Sequence, residues 1–318
     1  MPLTNRNFKK QENKHLPETL HAIFVYLWKQ KIFKKICIGI CMKNIIFIII
    51  ALVTTTSLQA QHLWKISNGG LKKPSYIFAT HPYVSSNFLD SKSDVFKYFN
   101  QTTKVLGEFD SKDFEGIKVI QQNAFLDGKK SLKFFMSEED FRLADTFLSE
   151  NAGFTLESVA LLKPQFVLEL YYEQLARTLA ENKDGIFLDA WFQWYASEKG
   201  KSVGGLESLG EYLKYSNDTT SITEQVDKML NVMKKNDAFK QLFSTEIDEY
   251  KTGNIQALSK KSNALYERNK QRAAVIDNEI RKTSCFITIN AATLTGEHGL
   301  LKALESKGFT VTAVELKK

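Results

Sequence analysis

Glu108 and Asp110, in the run VLGEFD, stand two residues apart. On an extended strand, residues i and i+2 project from the same face, so the two carboxylates would stand side by side where the run ends. A pair so placed lines a pocket or sits as solvated loop charge, and the spacing alone leaves both open. Imidazole is the other side chain expected in metal-assisted chemistry. His81 follows the run SYIFAT directly, His298 lies in GEHGLL, and His62 opens HLWKIS. His298 reads as a surface residue in the first turn of a last helix, and His62 as part of a disordered start. Cys285, in the apolar run CFITI, reads as a buried core thiol with no internal disulfide partner. Trp191, Trp194 and Tyr195 share the face of one helix by their three- and four-residue spacing, as a core stripe or as the aromatic wall of a peptide groove. There is no Gly-x-Ser-x-Gly elbow, Walker loop, HExxH or cysteine pair for zinc.

The elements that would position these residues are legible as runs. β-type segments cluster at both ends: LWKIS (63–67), SYIFAT (75–80), TKVLGEFD (103–110), CFITIN (285–290) and FTVTAVEL (309–316). From Ser137 to Lys282 the chain is nearly free of Pro and Gly and has helical spacing, as in Phe166, Leu170, Leu175 and Leu179, with Pro164 near a helix start. KSVGGL (201–206) interrupts it as a strand joined to a turn. Terminal strands must pair to bury their apolar faces, and the helical middle must return to cover them. The expected fold is α/β (mixed α+β): one domain over residues 61–318, with a central mixed sheet drawn from both ends of the chain and packed with helices.

At the level of motifs, HLWKISNGGLKKPSYIFATHPYV and FITINAATLTGEHGLLKALESKGFTVTAVE resemble the first and last segments of the TraB/GumN (Tiki-like) family. VLGEFD, LLKP (161–164), GIFLDAWF (185–192), GGLES (204–208) and YERN (266–269) resemble its middle segments, in order. The resemblance implies two loosely related α/β halves and a pocket near the strand ends. It also implies a divalent metal held by two Gly-x-x-His motifs and a glutamate, activating water against peptide bonds. Here the first motif is Ala79, Thr80, His81, Pro82 and the second Asn290, Ala291, Ala292, Thr293, so both histidines and both glycines are replaced. Glu108 stands at the acidic position. His81 is one residue out of place, and on a strand that shift turns a side chain to the opposite face. Thr80, Glu108, Asp110, Asp189, Glu207, Arg268, Asn269, Asn290 and Thr293 carry over as pocket positions, with Glu108 and His81 as vestigial catalytic groups and no cofactor or metal. Arg268 can clamp Glu207 or Asp189 internally, or serve a ligand.

Nine of the 43 Lys and Arg, but only two of the 36 Asp and Glu, fall in residues 1–60, leaving 34 of each sign in the rest. The remainder has no net positive field to attract nucleic acid. From Met42, MKNIIFIIIALVTTTSLQAQ reads as a signal peptide ending near Ala60, with residues 1–41 as a mistranslated or extended leader. Its apolar run is short for the ~20 residues that span a bilayer, so contact with a membrane would come only through an uncleaved leader. The expectation is a periplasmic or secreted protein, non-catalytic, that binds a peptide or other small ligand. The alternatives are a metal-dependent peptidase with ligands rearranged around Glu108 and His81, and an envelope scaffold without ligand.

Overall fold

The computed structural model describes residues 61–68, 70–110, 112–179, 186–216 and 220–317. The expected leader and cleavage site lie outside them. Among the described residues the six strands are β1 (Leu63–Ser67), β2 (Ser75–Thr80), β3 (Lys104–Phe109), β4 (Ser202–Glu207), β5 (Cys285–Asn290) and β6 (Thr310–Val314). They form one sheet in the order β4-β3-β5-β2-β1-β6. β4, β3, β5 and β2 run parallel, whereas β1 is antiparallel to both β2 and β6. The mixed α/β fold, with first and last strands interleaved, agrees with the sequence reading.

Burial follows position in the sheet. β2 is buried along its whole length and β5 at all but its last residue, as expected where helices cover both faces of parallel strands. β6, at one edge, is exposed or half-buried throughout. The helices are α1 (Val95–Asn100), α2 (Phe114–Ala124), α3 (Glu138–Ala152), α4 (Pro164–Leu179), α5 (Leu188–Glu198), α6 (Leu209–Ser216), α7 (Ile222–Lys234), α8 (Asn236–Thr252), α9 (Asn263–Lys282) and α10 (Leu300–Ser306). Among the described residues no helix is long and apolar enough to cross a membrane.

Two helices position the strand ends. α5 is anchored by Phe192, whose ring lies 5.2 Å from Phe78 and 5.1 Å from Phe286. The segment entering it is held by hydrogen bonds from Leu188 N to Val84 O (3.0 Å) and from Ser86 N to Ile186 O (2.9 Å). α9 starts at Ser262, whose hydroxyl accepts from Leu265 N at 3.0 Å, an N-cap that satisfies one orphan donor. Its buried face is Leu265, Asn269, Arg272, Ala273, Ile276 and Ile280. Two strongly polar residues on a buried stripe call for partners.

The helix expected from the spacing of Phe166, Leu170, Leu175 and Leu179 is α4, which begins at Pro164 and buries Val167, Leu168, Tyr171 and Leu175 while Leu170 and Leu179 are exposed. Two expectations need correction. His62 is ordered and fully buried: its ring packs 5.0 Å from both Phe88 and Tyr250, and its Nε2–H donates to Tyr250 O at 2.6 Å. His298 lies just before α10, with Nδ1 against Ser262 O at 3.0 Å and its ring beside Tyr266. Trp191 stacks on Tyr195 at 4.7 Å and the pair packs against Phe96, while Trp194 is exposed, so these rings line no groove at the strand ends. Cys285 is buried, and desolvation pushes its thiol up to about 12.

Candidate functional site

The carboxyl ends of the four parallel strands fall along one rim of the sheet. Thr80 of β2 is the register partner of Asn290 of β5, and Phe109 of β3 that of Glu207 of β4. In open α/β sheets this edge is where ligands bind. Glu108 bridges the middle of the rim, with Oε1 accepting from Asn290 N at 2.8 Å. Asn290 in turn caps the following turn, its Oδ1 accepting from Ala292 N at 2.9 Å, and Thr293 Oγ1 donates back to Asn290 O at 2.9 Å.

Glycine permits the approach of α5. A Cβ at Gly107 would fall 2.2 Å from Gln193 Nε2 and 3.1 Å from Asp189 Oδ2, so only a bare backbone lets these side chains lie over β3. Asp189 and Gln193 share a helix face at i, i+4 spacing, and Gln193 Nε2 donates to Asp189 Oδ2 at 3.0 Å and Phe109 O at 3.2 Å. Thr288 Oγ1 donates to Asp189 Oδ1. Burial, aided by the charge of Glu108 and opposed in part by these donors, pushes Asp189 up to about 7.

Two cavities, each about 300 Å³, abut at Glu108, Tyr212 and Asn290, which line both. One is acidic and apolar, adding Thr80, Asp189 and Gln193 with Pro82, Phe109 and Phe187. The other is basic and polar, adding Lys260, Arg268, Ser262 and Thr293. Burial, then the charge of Glu108, pushes the Tyr212 phenol up and keeps it a neutral donor between them.

Behind the second cavity lies an ion network. Arg268 grips Glu207 with two nitrogens, Nε at 3.0 Å and Nη2 on the other oxygen, the bidentate geometry natural to guanidinium. Arg272, one turn on, donates through Nη2 to Glu207 Oε1 and lies 3.5 Å from Glu108 Oε2. Their side chains are 13%, 6%, 1% and 14% exposed for Arg268, Glu207, Arg272 and Glu108. Of the two open uses of Arg268, the internal clamp on Glu207 is present, and the residue still borders the basic cavity.

The remaining expected positions lie off the cavities. Asp110 turns into the loop before α2, Oδ1 accepting from Lys112 N at 2.9 Å. Buried Asn269 donates through Nδ2 to Thr293 O (2.9 Å) and His298 O (2.8 Å), pinning the β5 exit loop to α9. His81 lines neither cavity: Nδ1 accepts from Tyr83 N at 3.2 Å and the ring packs 5.4 Å from Tyr250. Sequence reasoning missed Tyr212, Gln193, Lys260 and Arg272. Gln193 and Arg272 carried a signal, each four residues after an acid or base already singled out.

The residues present do not fit the metal that the Gly-x-x-His resemblance implies. Pro82 and Thr293 supply no imidazole, His81 lines neither cavity, and both oxygens of Glu108 face donors, Asn290 N and Arg272 Nη2. Among the described residues no group of three His, Cys, Asp or Glu side chains could hold a metal ion.

Fold and site together define an α/β protein whose parallel strand ends present a carboxylate-centred polar cleft. A model of the TraB/PrgY/gumN family matches residues 62–313, and the chain belongs to that family. No curated protein and no solved structure matches it.

Proposed function

We propose that this chain is a non-catalytic member of its family that acts outside the cytoplasm and holds a peptide or other small ligand at the rim around Glu108. The observation that carries the reading is the pair of cavities meeting at Glu108, Tyr212 and Asn290, one acidic and apolar, the other basic. A ligand with a carboxylate at one end would find Lys260 in the basic cavity, and Phe109, Phe187 and Tyr212 offer apolar contact along the rim. The replaced metal ligands argue against hydrolysis, since neither proline nor threonine supplies an imidazole. Export is supported by the apolar, small-residue pattern after Met42.

Thermal shift with a panel of short peptides tests the binding. Peptides with a free carboxyl end should stabilise the protein, by about 2.7 kcal/mol at 100 times Kd, and their amidated forms should stabilise it less. A panel that moves the melting temperature nowhere, or peptides cleaved in the same sample, would overturn the reading. N-terminal sequencing of the native protein tests export: a start near Gln61 is expected, and residues 1–41 retained on a cytoplasmic protein would refute it.

A further inference from the structure

Arg272 is the largest fully buried polar side chain described, and its place at the strand ends is unusual for a cation. It rises from the buried face of α9 and puts one nitrogen, Nη2, against Glu207 Oε1 with Glu108 Oε2 3.5 Å away. The two acids come from adjacent strands, β3 and β4. With Arg268 on Glu207, two guanidiniums face two carboxylates, so the buried cluster is balanced in formal charge. Nε and Nη1 of Arg272 have no hydrogen-bond partner among the described residues. A buried guanidinium with two idle donors is there for its charge more than for its hydrogen bonds.

We propose that Arg272 is a built-in cation that takes the carboxylates of Glu108 and Glu207 as its counter-ions and thereby closes the site to a divalent metal ion. The proposal deepens the non-catalytic reading and rests on it. A carboxylate recruits a metal when its charge is uncompensated and its lone pairs are open. Here Glu108 Oε1 is held by Asn290 N, and an ion brought to Oε2 would face a fixed guanidinium at short range in a poorly screened interior. Restoring the two histidines would then be insufficient. Arg272 is in this sense a positioning and excluding residue, acting through Glu108 and touching no substrate.

The experiment uses the whole chain and Mn²⁺ alone as probe, followed by the electron paramagnetic resonance signal of the free ion. Wild type is compared with Pro82→His/Thr293→His, and with the same pair carrying Arg272→Met. The triple variant should bind Mn²⁺ at least tenfold more tightly than the double. Because Arg272→Met strands a buried negative charge, a fourth protein adds Glu207→Gln, which restores the balance and should bind at least as well as the triple. Equal affinity of the double variant and the variants lacking Arg272 overturns the role of Arg272 and leaves the underlying reading standing. Tight Mn²⁺ binding by the wild type strikes the underlying reading itself.

Discussion

Thr288 on β5 donates its hydroxyl to the carboxyl of Asp189 on α5, tying a helix to the strand on the far side of β3 from β4. Asp189, pushed up to about 7, keeps its proton in the folded state over a range where the unfolded chain loses it. The folded state binds more protons between about pH 4 and 7, so this group's contribution to stability falls as pH rises through that window. Asp189→Asn removes the penalty, with an expected gain of about 1–2 kcal/mol at pH 8 and little change at pH 4. Urea unfolding at the two pH values measures it, and an equal effect at both would rule out the shifted carboxyl.

His62 and His81 act in the opposite sense. Burial, the largest cause for both, lowers each to about 4, so below the ordinary value of 6.5 the unfolded chain takes up protons that the folded state refuses. Stability is complete above about pH 6.5 and declines toward pH 4, each histidine contributing a slope of up to ~1.4 kcal/mol per pH unit. His81→Asn should flatten part of that acid limb. Titration of the ring protons by nuclear magnetic resonance checks the assignment; pKa values near 6.5 would contradict it.

The Arg268 clamp should behave as a buried pair. Arg268→Ala leaves Glu207 partly uncompensated and is expected to cost about 3–5 kcal/mol, as for other broken buried pairs. Arg268→Met combined with Glu207→Gln should cost less than the sum of the single changes, and the double-mutant cycle by chemical denaturation gives the coupling. Additivity would show that the pair is not coupled.

Two neighbouring glycines should differ sharply. A Cβ at Gly205 would fall 2.3 Å from Asp110 N and 2.6 Å from Phe109 C, both backbone atoms that cannot swing aside. At Gly204 the nearest atoms are side-chain carbons at 3.4 Å. Gly205→Ala is expected to destabilise by about 1–3 kcal/mol through overpacking, whereas Gly204→Ala stays within about 0.5 kcal/mol of wild type. Thermal melts of the two variants decide it.

Much of the sheet could be read from the residues. Runs such as SYIFAT and CFITIN are β-branched and aromatic, and they coincide with β2 and β5 because strands with parallel neighbours and covered faces must be apolar throughout. That proline stands at position 82 and threonine at 293 is likewise a property of the chain alone. What the chain could not disclose is partnership. Arg268 could have met Glu207 or Asp189, and the choice was made by the register that sets Glu207 beside Phe109 and by α5 committing Asp189 to Thr288 and Gln193. Arg272 drew no notice because a helix face is only known to be buried once the sheet beneath it is placed. His62, two positions past the presumed cleavage point, is fixed by the ring and carbonyl of Tyr250, a residue from the far side of the sequence. Local pattern follows from each residue's own geometry and hydropathy, whereas charge pairing depends on distances of a few ångströms between segments that only the folded sheet brings together.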